Sequence, residues 1–276
     1  MTTILSGKTV SKARKEILKA EIAQIKGRLP KLVVVIVGTD PASETYVASK
    51  AKQCLEVGML SEVIRVSDDV TQEELLALVQ SLNADETVDG LLVQFPLPKH
   101  LNEDEVMETI APEKDVDGLN PLNVGYLETG KDGFAPCTAM GVISLLDFYD
   151  INLEGMSALV IGRSRLVGKP LASLLLKRNA TVTVAHSRSK DIGKLIKQHE
   201  LVVVAVGIPH FVKKEMVLDH HIIVDVGIHR TDTGLIGDVE SIENAQYGSP
   251  VPGGVGPMTI VSLLENTLKA YKKKER

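Results

Sequence analysis

The stretch SALVIGRSRLVGKPLASLLLKR, residues 157–178, has the pattern of a buried strand, a glycine turn and a helix. This layout is typical of a dinucleotide phosphate site, in which backbone amides at the start of the helix face the anion. Gly162 and Gly168 mark the turn, but Ser164 stands at the second glycine position of the common GxGxxG pattern, and Gly168 falls later than usual. Such a turn is weak evidence by itself, so its surroundings decide the interpretation.

The next strand pattern, TVTVAHSRSK (residues 181–190), indicates which dinucleotide the turn would bind. A protein that binds NAD generally offers an acid at the end of this strand to the ribose hydroxyl, whereas this chain has His186, Ser187 and Arg188 there. Together with Arg163 in the glycine turn, these residues favour a 2′-phosphate and therefore NADP as the cofactor. The alternative interpretation is that both arginines are plain surface charges.

Apolar runs of strand length alternate with helical patterns on both sides of this stretch. The strand patterns are KLVVVIVG, LSEVIRV and DGLLVQF in the first half, and SALVIG, TVTVAH, LVVVAV and IIVDVG in the second. Runs this apolar are typical of strands buried on both faces in parallel sheets. We therefore predict an α/β fold with two αβα domains, the second of them a Rossmann-like NADP-binding domain.

The boundary between the two domains is predicted in the loop-rich residues 115–138. The first domain is predicted to cover residues 1–137 and to be completed by a C-terminal helix within residues 258–276. The second domain is predicted to cover residues 138–257. The helical patterns that support this division cover residues 41–57, 71–83, 103–110, 139–149 and 258–273.

Composition excludes several classes of protein. The 276 residues carry 31 basic and 36 acidic side chains, a formal net charge of -5, which does not indicate a nucleic-acid partner. No uncharged apolar run of membrane-spanning length occurs, so we expect a cytoplasmic protein without a membrane partner. The two cysteines, Cys54 and Cys137, lie in no Cys/His spacing, and neither a disulfide framework nor a metal site is predicted.

The stretch SETYVASK, residues 43–50, places a phenol and an amine on one face of a predicted helix. Tyr46 and Lys50 are four residues apart, and the helix follows directly on the strand KLVVVIVG. Open α/β sheets bind their ligands just past the carboxyl ends of their strands. The pair is therefore a candidate catalytic pair, although an exposed Tyr and Lys on a surface helix would give the same pattern.

Two further polar residues follow the third strand pattern. Gln94 ends the apolar run in DGLLVQFPLPKH, where a buried amide would need partners, although water could also solvate it there. Asp117 lies in PEKDVDGLNP, a loop punctuated by Asp, Gly and Pro, in which Asp115 has the pattern of a turn or capping residue. We expect Gln94 and Asp117 to converge with Lys50.

The glycine-rich stretch PGGVGPMT, residues 252–259, lets the backbone approach a ligand closely, or simply connects to the last helix. Asp225 in IIVDVG ends a strand, where it either contacts a cofactor or caps the following loop.

Nine fragments in register resemble the bifunctional methylenetetrahydrofolate dehydrogenase/methenyltetrahydrofolate cyclohydrolase family, the FolD type. The resemblance spans nearly the whole chain. Two departures are small: Ala139 replaces a common Pro, and His229 stands where Asn is common. The fragments are YVASKAK, VQFPLP, PEKDVDGLNP, PCTAMG, GRSRLVGKP, AVGIP, DVGI, GDV and PGGVGPMT.

The resemblance implies oxidation of 5,10-methylenetetrahydrofolate with NADP, followed by hydration of the methenyl cation to 10-formyltetrahydrofolate. It implies a cleft between the domains, tetrahydrofolate substrates and a homodimer formed through the second domain. It assigns Lys50 as the catalytic lysine, Gln94 as the residue that holds its nitrogen, Tyr46 as a neighbour of lysine and folate, and Asp117 as the pterin anchor.

The resemblance also implies contacts with folate and cofactor. Pro257 is expected on the folate side and Ile228 on the nicotinamide side. The remaining cofactor contacts are expected at Gly162, Arg163, Ser164, Ser187 and Arg188.

Two other functions share parts of this pattern. Short-chain dehydrogenases also contain YxxxK, but there the pair follows the dinucleotide motif, whereas Tyr46 and Lys50 precede Gly162 by more than a hundred residues. A catalytically silent NADP-binding protein would keep the fold without needing Tyr46, Lys50, Gln94 and Asp117 together.

Overall fold

The computed structural model describes residues 1–232 and 234–275, apart from the side chain of Ala42. The strands are β1 (Thr3–Ile4), β2 (Lys31–Val37), β3 (Leu60–Val66), β4 (Gly90–Val93), β5 (Ser157–Ile161), β6 (Thr181–Ala185), β7 (Leu201–Val204), β8 (Ile222–Asp225), β9 (His229–Thr231), β10 (Gly234–Ile236) and β11 (Tyr247–Gly248). The helices are α1 (Gly7–Ile22), α2 (Pro41–Glu56), α3 (Gln72–Ala84), α4 (Glu103–Thr109), α5 (Pro121–Glu128), α6 (Cys137–Phe148), α7 (Gly168–Lys177), α8 (Ile192–Lys197) and α9 (Val255–Lys274), with a 3₁₀ turn at Lys214–Met216.

The chain forms two compact units. The first unit comprises Arg14–Ala135 with residues 263–275, and the second unit comprises Met1–Ala13 with Pro136–Ser262. This division differs from the predicted one at the start of the chain, because β1 pairs in parallel with β11 and so joins the sheet of the second unit. It also differs in α9, whose first turns belong to the second unit.

The first unit is built on a parallel sheet in the order β3-β2-β4. The central strand β2 is buried along nearly its whole length, as its unbroken apolar sequence predicts for a sheet covered on both faces. Side chains of β2 and β4 form one core with α3 and α4. The predicted parallel sheet is confirmed in this unit.

The second unit is built on a longer parallel sheet in the order β1-β11-β8-β7-β5-β6. Its central strands β5, β7 and β8 are fully buried over most of their residues. A small antiparallel hairpin of β9 and β10 stands apart from this sheet. The predicted α/β class with a Rossmann-like second unit is therefore confirmed.

Local signals explain where the functional helices begin. Asp40 caps α2 by accepting a hydrogen bond from the Ser43 amide at 2.8 Å, and Pro41 occupies the first turn, where its missing amide costs nothing. Helix α3 begins with a capping box between Thr71 and Glu74. These caps set the residue at which each helix begins.

The structure differs from the sequence prediction in two segments. Helix α5 lies within residues 115–138, where only loop was predicted, and it begins at an Asn120 cap followed by Pro121. Helix α9 begins at Val255, so the predicted glycine loop already forms its first turn. In both cases proline occurs in the first turn of the helix, a position that tolerates it. Composition alone does not distinguish such a helix start from a loop.

Over residues 1–232 and 234–275 no helix combines the length and the apolar character that crossing a membrane requires. Within the same residues no cluster of three or more His, Cys, Asp or Glu side chains could hold a metal ion. Cys54 and Cys137 are both buried, and neither forms a disulfide.

Gly90 in β4 tests how tightly the first unit is packed. A Cβ atom at this position would lie 2.9 Å from Val116 Cγ1 and 3.1 Å from Thr267 Oγ1, so Gly90→Ala is expected to lower the free energy of unfolding by about 1–3 kcal/mol. Gly125→Ala in α5 is the matched control, because its Cβ would meet nothing within 4 Å. Urea denaturation of both variants measures the difference; equal midpoints would contradict the packing.

Candidate active site

Lys50 lies on α2 with its side chain turned into the first unit. The residue is only 7% exposed, and its Nζ atom donates a hydrogen bond to Gln94 Oε1 at 3.0 Å. A buried amine needs such an acceptor, because burial removes its water. The helix and the end of β4 therefore meet at these two side chains.

Gln94 directly follows β4, and its backbone amide continues the sheet by donating to Val35 O at 2.8 Å. Its side-chain Nε2 donates to Phe95 O at 2.7 Å, which turns Oε1 toward Lys50. The amide is therefore oriented by its own backbone, and the expected convergence of Gln94 with Lys50 is present in the structure.

Tyr46 lies one turn before Lys50 on the same face of α2. The centroid of its ring is 5.4 Å from Lys50 Nζ, within the range of a cation–π contact. Burial raises the pKa of the Tyr46 hydroxyl above its usual value, and the negative charge of Asp117 raises it further. The hydroxyl therefore stays protonated at neutral pH and can donate a hydrogen bond.

Asp117 lies in a loop that the buried Asp115 holds in place. Asp115 accepts hydrogen bonds from the Leu119 amide at 3.1 Å, the Asn120 amide at 2.8 Å and Asn123 Nδ2 at 2.8 Å. Burial raises the pKa of Asp115, against these hydrogen bonds, which lower it. The turn role expected for Asp115 is present.

The Asp117 carboxylate itself is half-buried, and among the described residues nothing donates a hydrogen bond to it. Beside it lies a small cavity of ≈ 10 Å³, the room of about one water molecule. The cavity is almost entirely apolar, so the carboxylate borders a small apolar void. Its lining residues are Leu91, Leu92, Val93, Phe95, Met107, Ile110, Asp115, Asp117 and Leu119.

In the second unit the glycine turn between β5 and α7 requires both of its glycines. A Cβ at Gly162, whose φ is +123°, would lie 2.2 Å from Ala205 O, and one at Gly168 would lie 2.2 Å from Gly162 O. Ser164 Oγ accepts from the Val167 amide at 3.2 Å and the Gly168 amide at 3.4 Å. The serine thus closes the turn and starts the helix.

Arg163 and Arg188 follow the neighbouring parallel strands β5 and β6, so both occupy the same edge of the sheet. Both side chains are exposed, as are Ser164 and Ser187. The Arg188 amide donates to His186 Nδ1 at 3.1 Å, which makes a tight turn after β6. The residues that directly follow β6, 186–190, therefore offer cationic and hydroxyl groups and include no carboxylate.

Ile228 was predicted to contact the nicotinamide and Pro257 to contact the folate. Both residues lie in the second unit. Ile228 is 48% exposed, and a Cβ at Gly256 would lie 3.4 Å from its Cδ1 atom. Pro257 is the next residue in the first turn of α9. The glycine-rich stretch therefore borders the loop after β8.

Two buried acids lie beside these loops: Asp225, which was expected to contact a cofactor or cap a loop, and Asp238, which no sequence pattern had singled out. Asp225 accepts from the amides of Gly227, Asp238 and Val239 at 2.9–3.0 Å, so it caps a loop as one of its two predicted alternatives required. Burial raises its pKa to about 6. Asp238 accepts from the Val206 amide at 2.7 Å and the Gly207 amide at 2.9 Å.

The sequence signal that could have identified Asp238 is the glycine close to each acid, in the fragments DVG and GDV. A Cβ at Gly237 would lie 1.9 Å from Asp225 Oδ2, and one at Gly227 would lie 2.3 Å from Asp238 Cγ. The fragments DVG and GDV therefore need glycine, because each glycine makes room for the carboxylate of the other fragment.

Comparison with known proteins covers both units. The family model described as the catalytic domain of tetrahydrofolate dehydrogenase/cyclohydrolase matches residues 5–117, and that of the NAD(P)-binding domain matches residues 136–275. The bifunctional protein FolD of Campylobacter fetus subsp. fetus is 52% identical over 279 residues, which cover 99% of each chain.

Solved structures agree with these matches. The crystal structure of FolD from Campylobacter jejuni superposes with a TM-score of 0.96 at 47% identity, over 99% of each chain. FolD from Trypanosoma brucei, solved with NADP cofactor and an inhibitor, gives 0.94 at 36% identity, over 100% of this chain and 99% of its own. This chain belongs to the tetrahydrofolate dehydrogenase/cyclohydrolase family.

Proposed function

We propose that this chain oxidises 5,10-methylenetetrahydrofolate to the methenyl cation with NADP and then hydrolyses the cation to 10-formyltetrahydrofolate. The observation that carries the proposal is the buried Lys50 amine, which donates to Gln94 and lies beside the Tyr46 ring. The charge of Asp117 acts on the hydroxyl of the same tyrosine. Family membership over both units supports both activities. Hydration needs a group that moves protons, and this constellation supplies one.

The first reaction transfers a hydride from the one-carbon bridge and leaves a methenyl cation. NADP supplies this chemistry when bound, by accepting the hydride at its nicotinamide ring. The glycine turn, where a Cβ at either glycine would collide with backbone, fits a bound dinucleotide. The exposed arginines fit a dinucleotide that carries a 2′-phosphate. We assign Gly162, Arg163, Ser164, Ser187 and Arg188 to its phosphates, and Ile228 to the nicotinamide side.

The second reaction adds water to the methenyl carbon and then breaks the bond from that carbon to N5. The attacking water loses both of its protons as its oxygen becomes the formyl oxygen: one is transferred to the leaving nitrogen N5, and the other is released. Lys50 is the proposed carrier of these protons. Gln94 fixes the position of its nitrogen, and the protonated Tyr46 hydroxyl can donate to the lysine or to folate.

Asp117 is the proposed anchor of the pterin ring. A carboxylate can accept two hydrogen bonds, from the 2-amino group and N3 of the ring, and its charge strengthens both. Asp115 and Asn123 hold the loop, which keeps the carboxylate in place. Pro257 is the proposed further contact of the folate.

Lys50→Met should abolish the cyclohydrolase activity while NADP affinity is unchanged. Methionine keeps the length of the side chain but cannot move a proton, so we expect the turnover of methenyltetrahydrofolate to fall by at least about 100-fold. The decay of methenyl absorbance measures this directly. Lys52→Met, at an exposed position of the same helix, should behave as the unaltered protein.

Asp117→Ala tests folate binding separately from proton transfer, through the KM for folate in the same assay. Asp117→Ala should raise the KM for folate by about ten-fold or more, because hydrogen bonds to a charged group contribute ~1.5–3 kcal/mol. Its KM for NADP should stay within about two-fold. Unchanged cyclohydrolase turnover in Lys50→Met, or normal folate affinity in Asp117→Ala, would refute the respective role.

Arg188→Ala should reduce the preference for NADP over NAD in kcat/KM by about ten-fold, because it removes one charged contact to the 2′-phosphate. Steady-state rates with both dinucleotides measure this ratio. Lys197→Ala removes an exposed positive charge elsewhere in the second unit and serves as the control. An unaltered ratio in Arg188→Ala would show that the arginine is a plain surface charge.

We infer that the chain forms a homodimer through the second unit. Strand β6 is the last strand of its sheet, with β5 as its neighbour among the described strands, and an edge strand can pair with another chain. Val184 on β6 and Leu176 on α7 are exposed apolar side chains. Light scattering should give twice the 29.8 kDa of one chain, and Val184→Asp should lower this mass. A monomeric mass for the unaltered protein would refute the dimer.

We infer a cytoplasmic location from the cysteines. Both are buried and neither forms a disulfide, as is usual where thiols are kept reduced. Burial also raises the pKa of Cys54 to about 12, so its thiol is unreactive. Cell fractionation would test the location, and recovery outside the cytoplasm would refute it.

A further inference from the structure

Asp238 joins two loops of the second unit that follow neighbouring strands. Its side chain is completely buried, and its Oδ2 atom accepts from Val206 and Gly207, the amides just after β7. Its Oδ1 atom lies 2.7 Å from Nε2 of His229, which follows the loop after β8. One carboxylate therefore holds both loops.

Asp225 fixes Asp238 in turn. Asp225 Oδ1 accepts from the Asp238 amide at 3.0 Å and from the Gly227 amide at 2.9 Å, while Oδ2 accepts from Val239 at 2.9 Å. Asp238, which holds the loops, is thus itself held by Asp225 through its backbone amide. The arrangement leaves little freedom for either loop to move alone.

Each of the two loops presents an exposed isoleucine. Ile208 follows the amides that Asp238 holds and is 51% exposed, and Ile228 precedes His229 and is 48% exposed. Since β7 and β8 are parallel neighbours, both side chains occupy the same edge of the sheet. The close approach of Gly162 to Ala205 places the glycine turn beside the first of these loops.

We propose that Asp238, together with His229, is a positioning residue for hydride transfer. It fixes the two apolar side chains, Ile208 and Ile228, against which the nicotinamide ring lies, and it does not touch the cofactor itself. The proposal rests on the proposed function, because it requires a dinucleotide on the glycine turn. A reacting ring must be held closely, since a displacement of about 1 Å can cost 10²-fold in rate.

The carboxylate is specifically suited to this role. It offers only acceptors, and the groups around it are the donors of Val206, Gly207 and His229. Asparagine has the same shape, but its amide nitrogen would face a donor. Asp238→Asn therefore disturbs the loops with little change in volume.

In Asp238→Asn we expect the rate of hydride transfer to fall by about 10-fold to 100-fold and NADP binding to weaken. Cyclohydrolase turnover should stay within about two-fold, because Lys50 and Gln94 belong to the first unit. Affinity for adenosine 2′,5′-bisphosphate, which carries the 2′-phosphate but no nicotinamide, should also stay within about two-fold. Stopped-flow absorbance and calorimetry measure these quantities.

Two variants serve as controls in this experiment. Asp232→Asn makes the same change of charge at an exposed position of the same segment and should match the unaltered protein. Arg188→Ala should give the reverse pattern, with weaker binding of adenosine 2′,5′-bisphosphate. His229→Ala removes one of the three donors and should give a smaller loss of the same kind as Asp238→Asn, even where Asp238→Asn fails to fold.

Two results would overturn the proposal. Normal hydride transfer in both Asp238→Asn and His229→Ala would show that the loops do not need the carboxylate. Parallel losses in adenosine 2′,5′-bisphosphate binding and in hydride transfer would show a general structural role instead. The absence of hydride transfer in the unaltered protein would refute the proposed function itself. That outcome is distinguishable from the two that overturn the role of Asp238.

Discussion

The parallel direction of the strands in both main sheets is the constraint on which the functional arrangement depends. In a parallel sheet all carboxyl ends lie at one edge, so residues far apart in sequence meet there. In the first unit Gln94 at the end of β4 meets Lys50 on the helix that follows β2. In the second unit the glycine turn and the loops after β6, β7 and β8 share one edge in the same way.

Both units stabilise the loops at these edges with buried carboxylates that accept backbone amides. Asp115 does so beside Asp117, and Asp225 and Asp238 do so beside Ile208 and Ile228. An aspartate is short and accepts several hydrogen bonds, so it can satisfy amides that no strand or helix uses. These three buried carboxylates are thus distinct from the residues that are proposed to touch ligands.

The sequence predicted the parts of the site that depend on local pattern. The shared face of Tyr46 and Lys50 follows from helical spacing, and the position of Gln94 follows from the end of an apolar strand. Pairings over long distances were beyond such reasoning: β1 joins β11 about 240 residues later, and Asp225 meets amides 13 and 14 residues away. Helix α5 was missed because Asn, Pro and Gly are common both in loops and at helix starts.

Asp225, the acid that fixes Asp238, also makes stability depend on pH. Asp225 has a pKa of about 6 in the folded protein, above the value of ~3.8–3.9 expected when unfolded. The folded state therefore binds more protons between these values, so this group's contribution is fully present below the unfolded pKa and is lost as pH rises through about 6. At neutral pH the buried charge is a cost that its three amide hydrogen bonds only partly offset. Replacing Asp225 would remove this cost, but it would leave those three amides without an acceptor. The same carboxylate therefore both holds the loops rigid and carries the cost of a buried charge.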